Sequence, residues 1–201
     1  MTDTSMTTEK KAEHGAATIV DLDARPAKWE IAPGHTVEGF TFNGMVPGPT
    51  IEARVGEEIV IRLKNSLAEP TVVHWHGLRI PAEMDGTDLV QRLVEPGETF
   101  EYRLVPPDAG TYWYHSHANE TEQVERGLYG ALIVRGSDEL ELDAERMLVL
   151  DDVKLNRRGQ LARFGGPMQR HDGREGETVL INGRTDTNLE VAAIRSSAGG
   201  L

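Results

Sequence analysis

The sequence predicts an all-β protein, a β-sandwich or barrel of short strands. Three observations predict it. Short apolar or alternating runs recur along the chain. Gly and Pro clusters, drawn from 21 Gly and 10 Pro, punctuate those runs at regular spacing. Between residues 17 and 136 no helical period of comparable strength interrupts the series.

The elements follow in order. Residues 1–16 are polar, poor in aromatics and without periodicity, so a disordered start is expected. The texture changes at Thr18. Extended runs fill Ile31 to Phe42, broken by Pro33-Gly34 and Gly39. Asn43-Gly44-Met45-Val46-Pro47-Gly48-Pro49 is a dense turn signal. Ile51 to Val55 alternates as a strand, and Gly56-Glu57 turns the chain. Glu58 to Leu63 and Thr71 to His76 read as strands. Pro81 to Arg92, rich in Gly, Asp and Glu, reads as a loop, and Glu95-Pro96-Gly97-Glu98 as a turn.

Thr99 to Val105 alternates as a strand; Pro106 to Gly110 punctuates; Thr111 to Ser116 is aromatic and extended. Asn119 to Arg126 has room for one short helix, and Leu128 to Arg135 is apolar enough for a buried strand. These elements define a domain over residues 17–136. Residues 137–201 form a linker and the incomplete start of a second β domain. Glu139 to Arg146 is charged, Met147 to Lys154 and Thr178 to Asn182 read as strands, and residues 156–177 read as an exposed loop. Two strands are too few for a core of their own.

Composition narrows the function classes. At 38% hydrophobic and 27% charged, the chain has the make-up of a globular domain rather than a membrane-spanning or disordered one. A net charge of −12 repels phosphate backbones, so no nucleic-acid partner is expected. With no cysteine, the chain has no disulfide, no thiolate metal site and no thiol nucleophile. No run is long and apolar enough for a membrane span. The first residues have no apolar run behind a basic start, so no secretory signal is expected and the chain as it stands reads as cytoplasmic.

The histidines carry the chemistry. Of seven, four fall into His74-Trp75-His76 and His115-Ser116-His117. In a strand, residues i and i+2 share a face, about 6.5–7 Å apart along the backbone. Two imidazoles so placed reach one metal or two adjacent ones. Imidazole donors without thiolate suit copper or zinc and permit iron or nickel; the affinity order favours copper. His14, His35 and His171 are isolated and are not expected to be ligands.

The motif series resembles the multicopper oxidases, the laccase-like enzymes. It runs through Asn43-Gly44, Pro47-Gly48-Pro49-Thr50-Ile51, His74-Trp75-His76-Gly77-Leu78, Asp85-Gly86, Gly110-Thr111-Tyr112-Trp113-Tyr114-His115-Ser116-His117 and Gly127 to Val134. It covers about residues 30–136, with Val179 to Gly183 similar to an early strand of a second domain. The resemblance implies a cupredoxin-like Greek-key β-sandwich and copper as cofactor. It implies that His74 holds a type 2 copper, His76 and His115 one type 3 copper, and His117 the other. It also implies dioxygen and a small reducing substrate as partners: a phenol, an aromatic amine or a metal ion. Asp85 matches an acidic residue that delivers protons to oxygen; as the first residue of Asp85-Gly86 it is equally a turn residue. Trp75 and Trp113 are expected to pack beside the ligands.

The chain departs from the family in two ways. The family's last domain supplies a His-X-X-His-X-His and a His-Cys-His, and neither is here. No type 1 copper can form without a cysteine. Half of the cluster ligands are present. Three accounts follow, in this order: a truncated multicopper oxidase, completion by the missing C-terminal domain or another subunit, and a stand-alone copper-binding or copper-tolerance module. A cupin-type metal site is the distant alternative, since shared ligands do not fix a fold. Relatives are commonly exported.

Overall fold

The computed structural model describes residues 17–137, 144–164 and 174–187. The expected disordered start, His14, His171, part of the linker, part of the 156–177 loop and the tail lie outside them.

Two four-stranded sheets enclose one core. The first takes β1 (Thr18–Ala32), β2 (His35–Phe42), β4 (Ile59–Asn65) and β6 (Thr99–Leu104), in the order β2-β1-β4-β6. The second takes β3 (Ile51–Arg54), β5 (Val73–His76), β7 (Gly110–Ser116) and β8 (Tyr129–Arg135), in the order β3-β8-β7-β5. Neither closes on itself, which decides for a sandwich over a barrel. The chain crosses between sheets, so β1 meets β4 and β3 meets β8 in parallel while the other pairs are antiparallel. This is the cupredoxin-like all-β architecture.

Alternation builds the core. Ile59, Ile61 and Leu63 of β4 face inward while Arg62 and Lys64 are exposed. Ile51 and Ala53 of β3 face inward between exposed Glu52 and Arg54. They meet Leu22, Trp75, Tyr102, Leu104, Tyr114, Leu132 and Val134 in one cluster. The Tyr102 hydroxyl accepts from the Val73 amide at 3.0 Å and from Gln91 Nε2 at 3.1 Å. It thereby anchors the first residue of β5; burial pushes the phenol up to about 12.

Two readings of the chain change here. Gly39 does not break β2 but lies within it. A Cβ there would sit 2.4 Å from the Arg126 carbonyl oxygen and 2.5 Å from the Trp29 ring, so glycine permits a close approach. The 156–177 loop is not simply exposed: Leu155 bridges Leu161, and the Arg174 side chain is buried, donating to the carbonyls of Lys154 and Ala162.

A hairpin of β9 (Leu150–Val153) and β10 (Thr178–Ile181) follows. Among the described residues its apolar side chains join the sandwich instead of forming a separate core. Val153 and Leu180 pack with Trp29, Ile31 and Val37 of β1 and β2, and the Thr185 amide donates to the Ile31 carbonyl at 2.8 Å. A short α-helix, α1 (Glu120–Gln123), falls within the expected 119–126 segment, and a 3-10 turn at Ala82–Met84 lies in the expected 81–92 loop.

Candidate metal centre

Both His-X-His pairs lie on one face of the second sheet. β5 and β7 pair so that His74 stands opposite His115 and His76 opposite Trp113. The inward residues of β5, Val73 and Trp75, are fully buried, which turns His74 and His76 to the outer face. Register and alternation together bring three imidazoles to one point. The ligand-capable nitrogens of His74, His76 and His115 lie within 4.8 Å of one another. The rings of His74 and His115 are 5.4 Å apart, those of His74 and His76 5.5 Å, and those of His76 and His115 5.6 Å. His117 stands beside this group, its ring 5.5 Å from that of His74 and 6.2 Å from that of His115.

The ring nitrogens are sorted by their partners. His74 Nδ1 lies 2.7 Å from the Asp85 carbonyl oxygen, and His115 Nδ1 lies 2.9 Å from that of Ser116. A carbonyl oxygen only accepts, so both Nδ1 atoms carry the proton and each Nε2 keeps its lone pair. His76 Nδ1 faces His115 Nε2 at 3.4 Å. His115 is 1% exposed, and burial above all holds its pKa below the ordinary imidazole value. The Ser116 carbonyl and Glu120 act in the opposite direction, while His74 and His76 lower it further. The neutral ring is the metal-binding form. Three converging imidazoles, two with their outer nitrogens tied to carbonyls, fit a copper or zinc ion.

The Asp85 side chain is secondary to its backbone in this arrangement. Its carboxylate Oδ2 is 3.5 Å from His74 Nδ1, farther than its carbonyl oxygen. The carbonyl reaches the ring because Gly86 runs against β5. Gly86 has φ +77°, and a Cβ there would lie 1.7 Å from the Val73 carbonyl oxygen. Asp85-Gly86 is thus a turn that also sets a carboxylate beside the His74 ring.

The two tryptophans part company. Trp113 is exposed at 39% and stacks on His115 at 4.1 Å between centroids, with His76 at 5.0 Å. Trp75 does not pack beside the ligands. It points into the core against Tyr102 and Tyr114, because the residue between two outward histidines must face inward.

Further residues attend the site without having been singled out in the sequence. Glu120 lies 3.6 Å from His115 Nδ1 and 3.9 Å from His117 Nε2. Ser116, Thr71 and Gln123 form a buried polar group beneath the second pair. Only Ser116 had a signal, its place between two ligands on the inward face. His35, expected not to be a ligand, bonds through Nε2 to the Gly159 carbonyl at 2.7 Å.

The chain as a whole is similar to known proteins. The family described as "Multicopper oxidase" matches residues 23–139. Multicopper oxidase MmcO of Mycobacterium tuberculosis is 39% identical over 146 residues, 72% of this chain and 28% of its own length. L-ascorbate oxidase of Nicotiana tabacum is 41% identical, over 87% of this chain and 32% of its own length. Copper resistance protein A of Escherichia coli is 40% identical, over 59% and 20%. Among solved structures, a multi-copper oxidase from Pseudomonas thermotolerans superposes with a TM-score of 0.77 at 35% identity, covering 84% of this chain and 42% of that one. The chain thus spans between about a fifth and a third of these curated relatives.

Proposed function

This chain belongs to the multicopper oxidase family, and from that premise we propose that it is the copper-binding N-terminal part of an oxidase that couples oxidation of a small reductant to reduction of dioxygen to water. The reductant would be a phenol, an aromatic amine or a metal ion. The chain contributes half of a trinuclear copper site. His74 takes the type 2 ion, His76 and His115 one type 3 ion, and His117 the other. Copper, when bound, supplies the one-electron chemistry and the affinity for oxygen.

The observation that carries this reading is the convergence of His74, His76 and His115 within 4.8 Å, with the Nδ1 atoms of His74 and His115 held by carbonyls. The chain's own residues then have distinct tasks. The carbonyls of Asp85 and Ser116 orient two rings and keep their Nε2 lone pairs outward. Trp113 covers His115 and His76 and limits their rotation. The Asp85 carboxylate, half-buried with Oδ2 3.5 Å from His74 Nδ1, is the acidic group placed to relay protons toward the site.

Copper loading of the purified chain tests this reading through metal stoichiometry, absorption spectrum and oxygen uptake with a phenolic donor. Copper binds without an intense blue band, since no cysteine is available, and turnover by this chain is negligible. Replacing His74 and His76 by Ala cuts copper uptake; unchanged uptake removes the ligand assignment. Brisk turnover by the chain alone removes the half-site assignment.

A non-catalytic copper-binding or copper-tolerance role is the second reading. The similarity to Copper resistance protein A favours it, and the four histidines suffice for it. Oxygen uptake after supplying a domain with the other half of the ligands separates the two.

A further inference from the structure

Gln123 closes α1, is 0% exposed and has every side-chain hydrogen-bonding position filled. Its Oε1 accepts from Thr71 Oγ1 at 2.8 Å and from Ser116 Oγ at 2.6 Å. Its Nε2 donates to Glu69 Oε1 at 2.6 Å and to the Pro70 carbonyl at 2.9 Å. The Pro70 carbonyl and the Glu69 carboxylate can only accept, so they set which end of the amide faces the hydroxyls.

These partners belong to two stretches of chain that lead to metal ligands. Residues 69–71 run into β5 and end three positions before His74. Ser116 sits between His115 and His117, and its hydroxyl also accepts from the Ala118 amide at 3.2 Å. The strand pairing of β5 with β7 stops at Val73 and Ser116, so His117 lies beyond the ladder. Past that point one backbone bond, His117 N to the Val72 carbonyl at 3.1 Å, joins the two stretches. The Thr71 and Ser116 hydroxyls also meet across the two stretches at 3.2 Å, and Gln123 caps that contact, bonding to both hydroxyls and to Glu69 and Pro70.

We infer that Gln123 is a positioning residue of the metal centre, whose amide staples the His115-Ser116-His117 segment to the segment entering β5 and so sets where His117 stands relative to the other three imidazoles. The inference rests on the reading of these histidines as copper ligands. Two substitutions act differently. Gln123→Leu removes all four bonds and leaves the Thr71 and Ser116 hydroxyls only each other and the Ala118 backbone. Gln123→Glu keeps an oxygen at the hydroxyls but sets its second oxygen against Glu69 and the Pro70 carbonyl. Adding Glu69→Gln to Gln123→Glu returns a donor to that contact.

The test uses the full chain and two readouts. In the metal-free protein, nitrogen-15 imidazole spectra report ring placement. Gln123→Leu and Gln123→Glu shift or broaden the His115 and His117 signals and leave His35 unchanged. The Glu69→Gln, Gln123→Glu pair restores most of the wild-type spectrum. Copper(II) titration against a competing chelator, well below each variant's Tm, shows about 10–100-fold weaker binding for the single Gln123 variants. Leu63→Ala, in the core away from the site, lowers Tm but moves neither readout. Should Gln123→Leu lower Tm as Leu63→Ala does while the His115 and His117 signals stay at wild-type positions, Gln123 is structural and the inference falls. Should the wild-type chain take up no copper, the copper reading falls, and the metal-free spectra still decide for or against Gln123.

Discussion

In β5, His74 and His76 both lie inside the strand, and the residue between them, Trp75, is sunk in the core. In β7, His115 is inside the strand but His117 is one residue past its end, and the residue between them, Ser116, is a buried hydroxyl. The first pair is therefore aimed by apolar packing from below and by one loop carbonyl, that of Asp85, from the side. The second is aimed by burial of His115, by the Trp113 ring stacked on it and by a polar network through Gln123. One motif is held in two ways because a strand fixes direction only while its ladder lasts. Beyond the last pair, side chains must supply the constraint.

The largest break in this contrast comes from the two tryptophans. Trp75→Ala opens a cavity under the first pair and costs about 3–5 kcal/mol in denaturant unfolding. Trp113→Ala, on the outer face, costs about 0.5–1.5 kcal/mol and mainly loosens the His115 and His76 rings, seen as broadened imidazole signals. Equal losses of stability would mean that the two faces of the sheet are not distinguished as described.

Gly86→Ala strikes the loop side of the first pair. A side chain at φ +77° costs about 1–3 kcal/mol, and contact with the Val73 carbonyl adds to it. The Asp85 carbonyl then withdraws from His74, and copper affinity falls. A variant with wild-type stability and affinity would show that this loop does not orient the ring. Asp85→Asn, by contrast, leaves the carbonyl in place. Stability shifts by no more than about 0.5 kcal/mol and copper binding is retained, while oxygen reduction in a completed enzyme slows. Lost copper binding would make the carboxylate itself a ligand-holding group.

Two groups, the buried His115 and the half-buried Glu125, make stability follow pH in opposite directions. His115 has a lowered pKa in the folded chain, so the unfolded chain binds more protons between that value and about 6.5. Its contribution is present above about pH 6.5 and is lost as pH falls toward the folded value. Glu125 acts with the opposite sign. Burial raises it to about 7, so its stabilisation is present below the ordinary carboxyl value and is lost as pH rises through about 7. Unfolding of metal-free wild type and His115→Gln between pH 5 and 8 isolates the first slope. Parallel curves would mean that burial does not perturb His115.

Much of the site was legible in the chain because the information is local. A period of two places His74 with His76 on one face, and glycine-proline clusters mark the turns that bound the strands. The same period already sends Trp75 away from its neighbours, so placing it beside the ligands neglected a rule the sequence contains. The strand spanning Thr18–Ala32 was not legible, because it divides its partners, pairing with β4 in its first half and β2 in its second. Gly39 misled for a related reason: what makes it glycine is the Arg126 carbonyl and Trp29 ring, neither a sequence neighbour.

The sequence by itself determined an all-β chain, two imidazole pairs, the absence of a thiolate and the family motifs that bind these together. Only the tertiary structure decided that His74 stands opposite His115, that the Asp85 carbonyl rather than its carboxylate lies nearest the His74 ring, and that Gln123 bonds to Ser116 and to residues 69–71 together. Side-chain direction along a strand is set by adjacent covalent geometry. Strand register and buried hydrogen bonds between distant segments are set by how both sheets bury their apolar faces at once, which no single stretch of sequence encodes.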